Sequence, residues 1–277
     1  QSIETPQQRS LLAYMVPDHL NHSSPTAPLL ANKTSECLLT DSACRLLIQQ
    51  WLGKPLLDKP TRCHYITSSS GRACGKVVDV HGEHLQRCCK GPCDARHNAL
   101  RDAYVALARG AGWNTLKEQH VQKSASDPRQ TKQADLLSIK DGGVCVAGDV
   151  RRCMRTANLV DGLDAAFREK LREYAATVDM PSLPNGTRVV PLVHMDGGFV
   201  GDAAVRFISE LAEATLLRRP TLGEDVPASL RAQTAFSFWA RLRAVQVSQA
   251  LRVLRAAVPP DAPLLDAAVE DGGAFSM

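Results

Sequence analysis

No run of apolar residues in this 277-residue chain approaches the ~20 that a membrane-crossing helix needs, so no membrane partner is expected. Net charge is also scarce, only +4 at neutral pH. That balance allows an acidic partner such as nucleic acid without requiring one. No internal repeat and no low-complexity tract interrupts the chain, which sets solenoids and arrays aside. No Asp-Asp pair occurs anywhere, so the Tyr/Phe-x-Asp-Asp signature of polymerases is missing and DNA synthesis is not expected. No signal peptide follows Gln1, and a first residue other than Met leads us to expect a piece of something longer. Without a secretory route the N-x-S/T sequons at Asn21, Asn32 and Asn185 carry little weight. For the same reason the nine cysteines read as metal ligands more readily than as disulfides.

A chain of this length buries a real core, in one or two domains. Its organising stretch is residues 133–151. Two apolar runs, 134–139 and 144–149, flank Lys140-Asp141-Gly142-Gly143. Asp-Gly between apolar runs marks a hairpin, because the turn needs positive φ and glycine supplies it without steric cost. A turn centred on Asp141-Gly142 sets Asp135 almost opposite Asp149, and Cβ atoms of directly opposed residues lie roughly 4.5–5.5 Å apart. Two carboxylates that close repel each other unless one is protonated or a cation lies between them. A divalent ion with oxygen ligands, such as Mg²⁺, resolves the repulsion. So does an ion pair from one acid to Arg151 or Arg152 with the other acid in solvent. At this level both resolutions are open.

The cysteines gather between Cys63 and Cys93. Cys74, His84 and Cys88 form the firm part of a metal set. His84 and Cys88 are four apart and share a helix face, and thiolates with imidazole suit tetrahedral Zn²⁺. Cys63 is the natural fourth ligand, although Cys-x10-Cys-x9-His-x3-Cys lacks the tight opening pair common in structural zinc sites. Cys89, Cys93, His64 and His81 are near enough to take that place. An ion here would be structural, folding a loop-rich piece with little core of its own.

Residues 1–35 are polar and rich in Pro, Ser and Thr; 41–52 have helical periodicity, which 53–60 break. Downstream the pattern predicts a helix over 96–110 and a strand over 113–121 carrying Glu118. A polar loop over 123–132 leads into the hairpin. A helix over 161–176, a turn over 181–186, a strand over 188–195 and a helix over 201–217 follow. That order predicts an α/β domain with a mixed sheet and helices on its faces. A long helix over 229–258, separate in character, carries Arg231, Arg241, Arg243, Arg252 and Arg255. These arginines read as a solvated face more readily than as a phosphate-binding one. The chain thus divides into a linker (1–57), a Cys/His module (58–95), an α/β core (96–218) and a helical extension with a flexible tail (219–277).

Taken in order, these residues resemble the C-terminal region of non-LTR retrotransposon polyproteins that carry a restriction-like endonuclease. In that family a Cys/Cys/His/Cys zinc module precedes a nuclease of the PD-(D/E)XK type. Cys74-Gly75 followed by Asp79, Gly82, His84 and Cys88 resembles the zinc segment, and Arg96-His97-Asn98 opens the helix after it. Glu118 sits on the strand before the loop. Lys132-Gln133-Ala134-Asp135 stands where Lys/Arg-Pro-Asp is usual, Asp149-Val150 ends the next strand, and 188–195 with Gly197-Gly198 resembles the fourth strand and turn. The likeness covers Cys63 to about Leu217. Ala134 replaces the usual proline. Arg151 stands where the motif's lysine would be, and arginine stays protonated, so it is no base. Family members typically supply that lysine from the following helix, where Lys170 lies, with Tyr174 one turn on.

The resemblance implies a restriction-endonuclease-like core and a structural Zn²⁺ on Cys63, Cys74, His84 and Cys88. It also implies a catalytic Mg²⁺ on Asp135 and Asp149 with Glu118. Lys170 would orient the attacking water or offset charge, and Arg96, His97, Arg151 and Arg152 would meet nucleic acid. The implied activity is Mg²⁺-dependent nicking of double-stranded DNA, the freed 3′ end priming reverse transcription. Its place would be nuclear, with element RNA and the polymerase part of the polyprotein as partners. A decayed, zinc-dependent nucleic-acid-binding remnant is the alternative from another class, and a purely structural interaction domain is the third.

Overall fold

A computed structural model describes residues 49, 54–66, 71–88, 90–122, 131–140, 143, 145–153, 159–175, 187–195, 200–218 and 227–258. Residues 1–35, most of the expected helix over 41–52, the loop over 123–130, the turn over 181–186 and the tail after 258 lie outside the described residues.

The first strands among the described residues form a short hairpin, β1 (Thr61–Arg62) against β2 (Val77–Val78), and the Ile66–Ala73 bridge continues its register toward the turn. Helix α1 (Glu83–Arg87) and helix α2 (Lys90–Gly110) follow. Helix α2 starts six residues before the expected position 96. A four-stranded sheet comes next, in the order β3 (Asn114–Gln122), β4 (Thr131–Ile139), β5 (Cys145–Cys153) and β6 (Arg188–Met195). The first two pairings are antiparallel and the last is parallel, so the sheet is mixed. Helix α3 (Leu159–Ala175) makes the crossover that a parallel pair requires. Helices α4 (Asp202–Leu217) and α5 (Ala228–Ala257) complete the fold.

At the end of the hairpin the amide of Gly143 donates to the carbonyl of Lys140 at 3.1 Å. The strands then pair from Ile139 with Cys145 to Leu136 with Gly148, and one step further along this register lie Asp135 and Asp149. Strand β5 runs beyond the expected end at Asp149, because β6 offers it parallel partners as far as Cys153 with Met195. Gly148 is required by close packing. A Cβ there would sit 2.8 Å from Cγ of Leu136, whose side chain is fully buried and has nowhere to go.

Side chains alternate across the sheet. Leu136, Val146, Val150, Val190 and Leu192 face α2, α4 and α5, where they meet Leu100, Tyr104, Phe207, Ile208 and Trp239. Val193 and Met195 face α3 and meet Leu163 and Ala166. The mixed sheet therefore has helices on both faces, as the element order predicts.

The long C-terminal helix is not separate in its packing. Phe238, Trp239 and Leu242 of α5 belong to the sheet core, while Val247, Leu251 and Leu254 belong to a second cluster with Leu56, Cys63, Val78, Leu85 and Cys88. Arg231, Arg252 and Arg255 are exposed, as a solvated face requires, and Arg241 is half-buried. The expectation is corrected at Arg243, which is buried because the helix packs on both clusters there.

A polar chain crosses the seam between the two clusters. Nη1 of Arg243 donates to Oε1 of Gln246 at 3.3 Å, Nε2 of Gln246 donates to Nδ1 of His194 at 3.0 Å, and Nε2 of His194 lies 2.6 Å from the Tyr104 hydroxyl. With Nδ1 accepting, the network puts the imidazole proton on Nε2. Burial, helped by the charges of Arg152 and Arg243, lowers the His194 pKa from 6.5 to about 3. The unfolded chain takes up a proton here below pH ~6.5, whereas the folded chain does so only near pH 3. The unfolded state binds more protons across that window, so stability must fall as pH drops through it. Going from pH ~7 to ~5 should cost about 2 kcal/mol at this residue. Urea titrations of wild type and His194→Gln at both pH values check this: the variant should lose that part of the pH dependence, and equal slopes would move the acid sensitivity elsewhere.

Candidate functional site

Two clusters stand out, one of carboxylates on the sheet and one of thiols beside α5. Asp135 and Asp149 are both buried. Their register puts them side by side on the α3 face of the sheet. Asp149 takes two partners from α3: the Tyr174 hydroxyl donates to Oδ2 at 2.9 Å, and Nζ of Lys170 lies 3.0 Å from Oδ1. Lys170 and Tyr174 are four apart and share one helix face. Asp135 accepts from the amide of Val150 at 2.6 Å and lies 2.9 Å from Nε2 of His97 on α2. Burial works against the Lys170 charge, but Asp149 and then Glu173 outweigh it and raise the pKa, so the ammonium persists. Burial, and then the Asp149 charge, push Tyr174 far above its ordinary value, so its hydroxyl is a fixed donor.

Glu118 lies in the same row. It sits between the pairs Lys117–Leu136 and Gln119–Ala134, opposite Asp135. Its φ is +54°, in the left-handed region that costs a non-glycine residue roughly 1 kcal/mol or more. The side chain engages the guanidinium of Arg101, which also holds Asp102 at 3.0 Å. Arg101 is one turn beyond His97, so successive turns of α2 meet Glu118 and Asp135. Among the described residues, however, Asp135, Asp149 and Glu118 do not converge into a group of three metal ligands.

The four residues expected to meet nucleic acid are dispersed. Arg96 is buried and donates to the Leu85 carbonyl at 3.2 Å, which leaves it no surface for a phosphate and makes it a tie between α2 and α1. His97 is on Asp135. Arg151 pairs with Glu169 at 2.9 Å rather than with either aspartate. Arg152 is half-buried, and its charge acts on His194.

The thiol cluster is compact. One ligand atom each from Cys63, Cys74, His84 and Cys88 lies within 4.8 Å of all the others. Sγ of Cys63 is 3.3 Å from Sγ of Cys88, and Sγ of Cys74 is 3.5 Å from Nε2 of His84. A tetrahedral ion about 2.3 Å from sulfur and about 2.0 Å from nitrogen spaces its ligands by roughly 3.5–3.8 Å, so this donor set could hold a metal such as zinc. The fold explains the spacing. The β1–β2 hairpin brings Cys63 beside Cys74 through bonds from the Gly75 amide to the Cys63 carbonyl and from the Cys74 amide to the Tyr65 carbonyl. Asp79 accepts from the amides of His81 at 2.9 Å and His84 at 3.1 Å, which sets the start of α1. Gly82, at that start, has φ +72° and a Cβ position 3.3 Å from Leu56, so a larger residue is disfavoured. Burial, with the Lys76 charge, lowers the His84 pKa, and the neutral imidazole is the form that binds a metal.

The reading of the sequence missed the partners rather than the acids. His97 on Asp135, Tyr174 on Asp149 and Arg101 on Glu118 join residues far apart in the chain, and only the four-residue spacings of 97/101 and 170/174 hint at them. Cys88→Ser should lower metal affinity by at least about 100-fold, while Cys153→Ser, outside the cluster, should leave it unchanged. Elemental analysis of the purified variants checks this, and equal metal content in both would remove Cys88 from the ligand set. No protein-family model and no curated protein matches this chain, so the chemistry of both clusters rests on the residues themselves.

Proposed function

We propose that this chain is a metal-dependent DNA endonuclease with a restriction-endonuclease-like core and a structural Zn²⁺ module. Its nick would prime reverse transcription for a non-LTR retrotransposon, in the nucleus and beside the element's polymerase and RNA. One observation carries the reading: two buried aspartates stand side by side at the end of a hairpin, with a protonated lysine on one of them. The ordered motif resemblance adds the family.

Asp135 and Asp149 supply the hard oxygen ligands that suit Mg²⁺. When bound, such an ion lowers the pKa of water and polarises the phosphoryl oxygen. Lys170 keeps its proton, so it offsets negative charge growing on the phosphate rather than acting as a base. Tyr174 and the Val150 amide fix the rotamers of the two carboxylates. His97 orients Asp135. Glu118 is held by Arg101, and a role as third ligand requires that contact to open. Cys63, Cys74, His84 and Cys88 match tetrahedral Zn²⁺ in donor type and spacing, and such an ion supplies folding energy to its module.

A specific observation favours a second reading, the decayed nucleic-acid-binding remnant. Both aspartates already have a nitrogen-bearing side chain as partner, and Arg151 is turned to Glu169. A supercoiled-plasmid assay separates the two. The proposal expects Mg²⁺-dependent nicking that falls by on the order of 100-fold or more in Asp149→Ala and by on the order of 10–100-fold in Lys170→Ala. Nicking that survives Asp149→Ala refutes the centre. A folded, metal-loaded chain that never nicks but binds DNA with steep salt dependence supports the remnant.

A further inference from the structure

Among the described residues, helix α5 is the one element that belongs both to the sheet core and to the cluster around the Cys/His module. Its first half lies on the sheet core through Ala235, Phe238, Trp239 and Leu242. Its second half, through Val247, Leu251 and Leu254, covers Val78, Leu85 and two of the three cysteines of the Cys/His cluster, Cys63 and Cys88. The amide of His64, next to Cys63, donates to the carbonyl of Ala257 at 2.7 Å, so the hairpin is also tied to the end of α5 by backbone. Among the described residues the module has little else to pack on. Its own share of the cluster is a few aliphatic side chains and the thiols, too little to hold a fold this small without a further staple.

The joint between the halves is polar. Gln246 stands between Leu242 of one cluster and Val247 of the other, and its amide donates to Nδ1 of the fully buried His194 on β6. His194 has no water to fall back on, so losing Gln246 leaves a buried nitrogen unpaired, at a cost comparable to a whole net hydrogen bond. Strand β6 pairs with β5 from Val146 to Cys153, with Pro191 opposite Asp149.

We infer that the carboxylate core reads metal loading of the Cys/His module through α5, and that Gln246 is the positioning residue at the seam. The inference rests on the metal part of the proposed function, with Cys63, Cys74, His84 and Cys88 as ligands, and not on nuclease activity. Ion binding closes the module and holds Cys63, Leu85 and Cys88 against Val247, Leu251 and Leu254. That contact keeps the second half of α5 helical, which holds the Gln246 amide on His194 and β6 in register against β5. Removing the ion uncovers the second half of α5, Gln246 lets go, and β6 loosens. Linkage makes the coupling reciprocal, so loosening β6 must also weaken metal binding.

Hydrogen exchange on the full chain tests this, with metal content measured on the same samples. Zn²⁺-loaded protein is compared with chelator-treated protein, in wild type and in Gln246→Met, which keeps the side-chain length and removes the donor. In wild type, chelation should speed exchange at the end of α5 and across β6 by about two- to tenfold, the equilibrium weight of one net hydrogen bond. In Gln246→Met the end of α5 should still respond to chelation, while β6 should exchange fast with or without Zn²⁺. An unchanged β6 in chelated wild type overturns the coupling. A variant whose β6 responds as fully as wild type, including one that unfolds throughout on chelation, overturns the role of Gln246. A purified chain that binds no Zn²⁺ overturns the inference at its first step. Plasmid nicking is read separately, so a failure here and a failure of the endonuclease reading are distinguishable.

Discussion

The register between β4 and β5 is the constraint on which the carboxylate centre depends. Pairing Leu136 with Gly148 sends Asp135 and Asp149 together to the α3 face and sends Leu136 and Val150 to the other. A slip of one residue would exchange these sets, driving a carboxylate among Tyr104, Phe207 and Trp239 and leaving Leu136 beside Lys170. The penalty of burying an unpaired charge is several kcal/mol, so the alternative registers are closed. Two local features act in the same direction: the turn that ends in the Lys140–Gly143 hydrogen bond, and the close approach of the Leu136 side chain over Gly148.

With the register set, charge compensation dictates the helices. Each acid in the row takes a partner from one of two helices, and each helix offers two residues a turn apart. Helix α2 presents His97 to Asp135 and Arg101 to Glu118; α3 presents both Lys170 and Tyr174 to Asp149. The Arg101 guanidinium is almost wholly buried and needs its anions. That requirement accounts for Glu118 holding a left-handed backbone: the local strain is offset by a buried charge that would otherwise be unpaired.

The parts legible in the sequence are those that depend on short-range chemistry. The hairpin between β4 and β5, the strand at 188–195 and the three spacings that link Cys63, Cys74, His84 and Cys88 follow from residues close to one another in the chain. Strand β5 runs past its expected end because a partner distant in sequence, the parallel strand β6, extends it. The burial of Arg243 and the sharing of α5 between two clusters were illegible for the same reason. An arginine every few residues reads as a wet helix until a second core, formed some 160 residues earlier in the chain, covers its other side.

Stability alone does not account for the carboxylate row. The α3 face around it is apolar, built from Leu163, Ala166, Val193 and Met195. Replacing a buried ion-pair cluster by apolar residues of like volume is often neutral or stabilising by about 1–4 kcal/mol. Two adjacent aspartates, a buried lysine and a tyrosine that cannot ionise are therefore an expensive way to join a helix to a sheet. A fold selected only for packing would place a leucine at 149 and an alanine at 170. Local choices that run against stability mark sites where chemistry sets the requirement. The proposed endonuclease would supply such a requirement, because a hard cation and a phosphate together need anionic oxygen beside fixed positive charge.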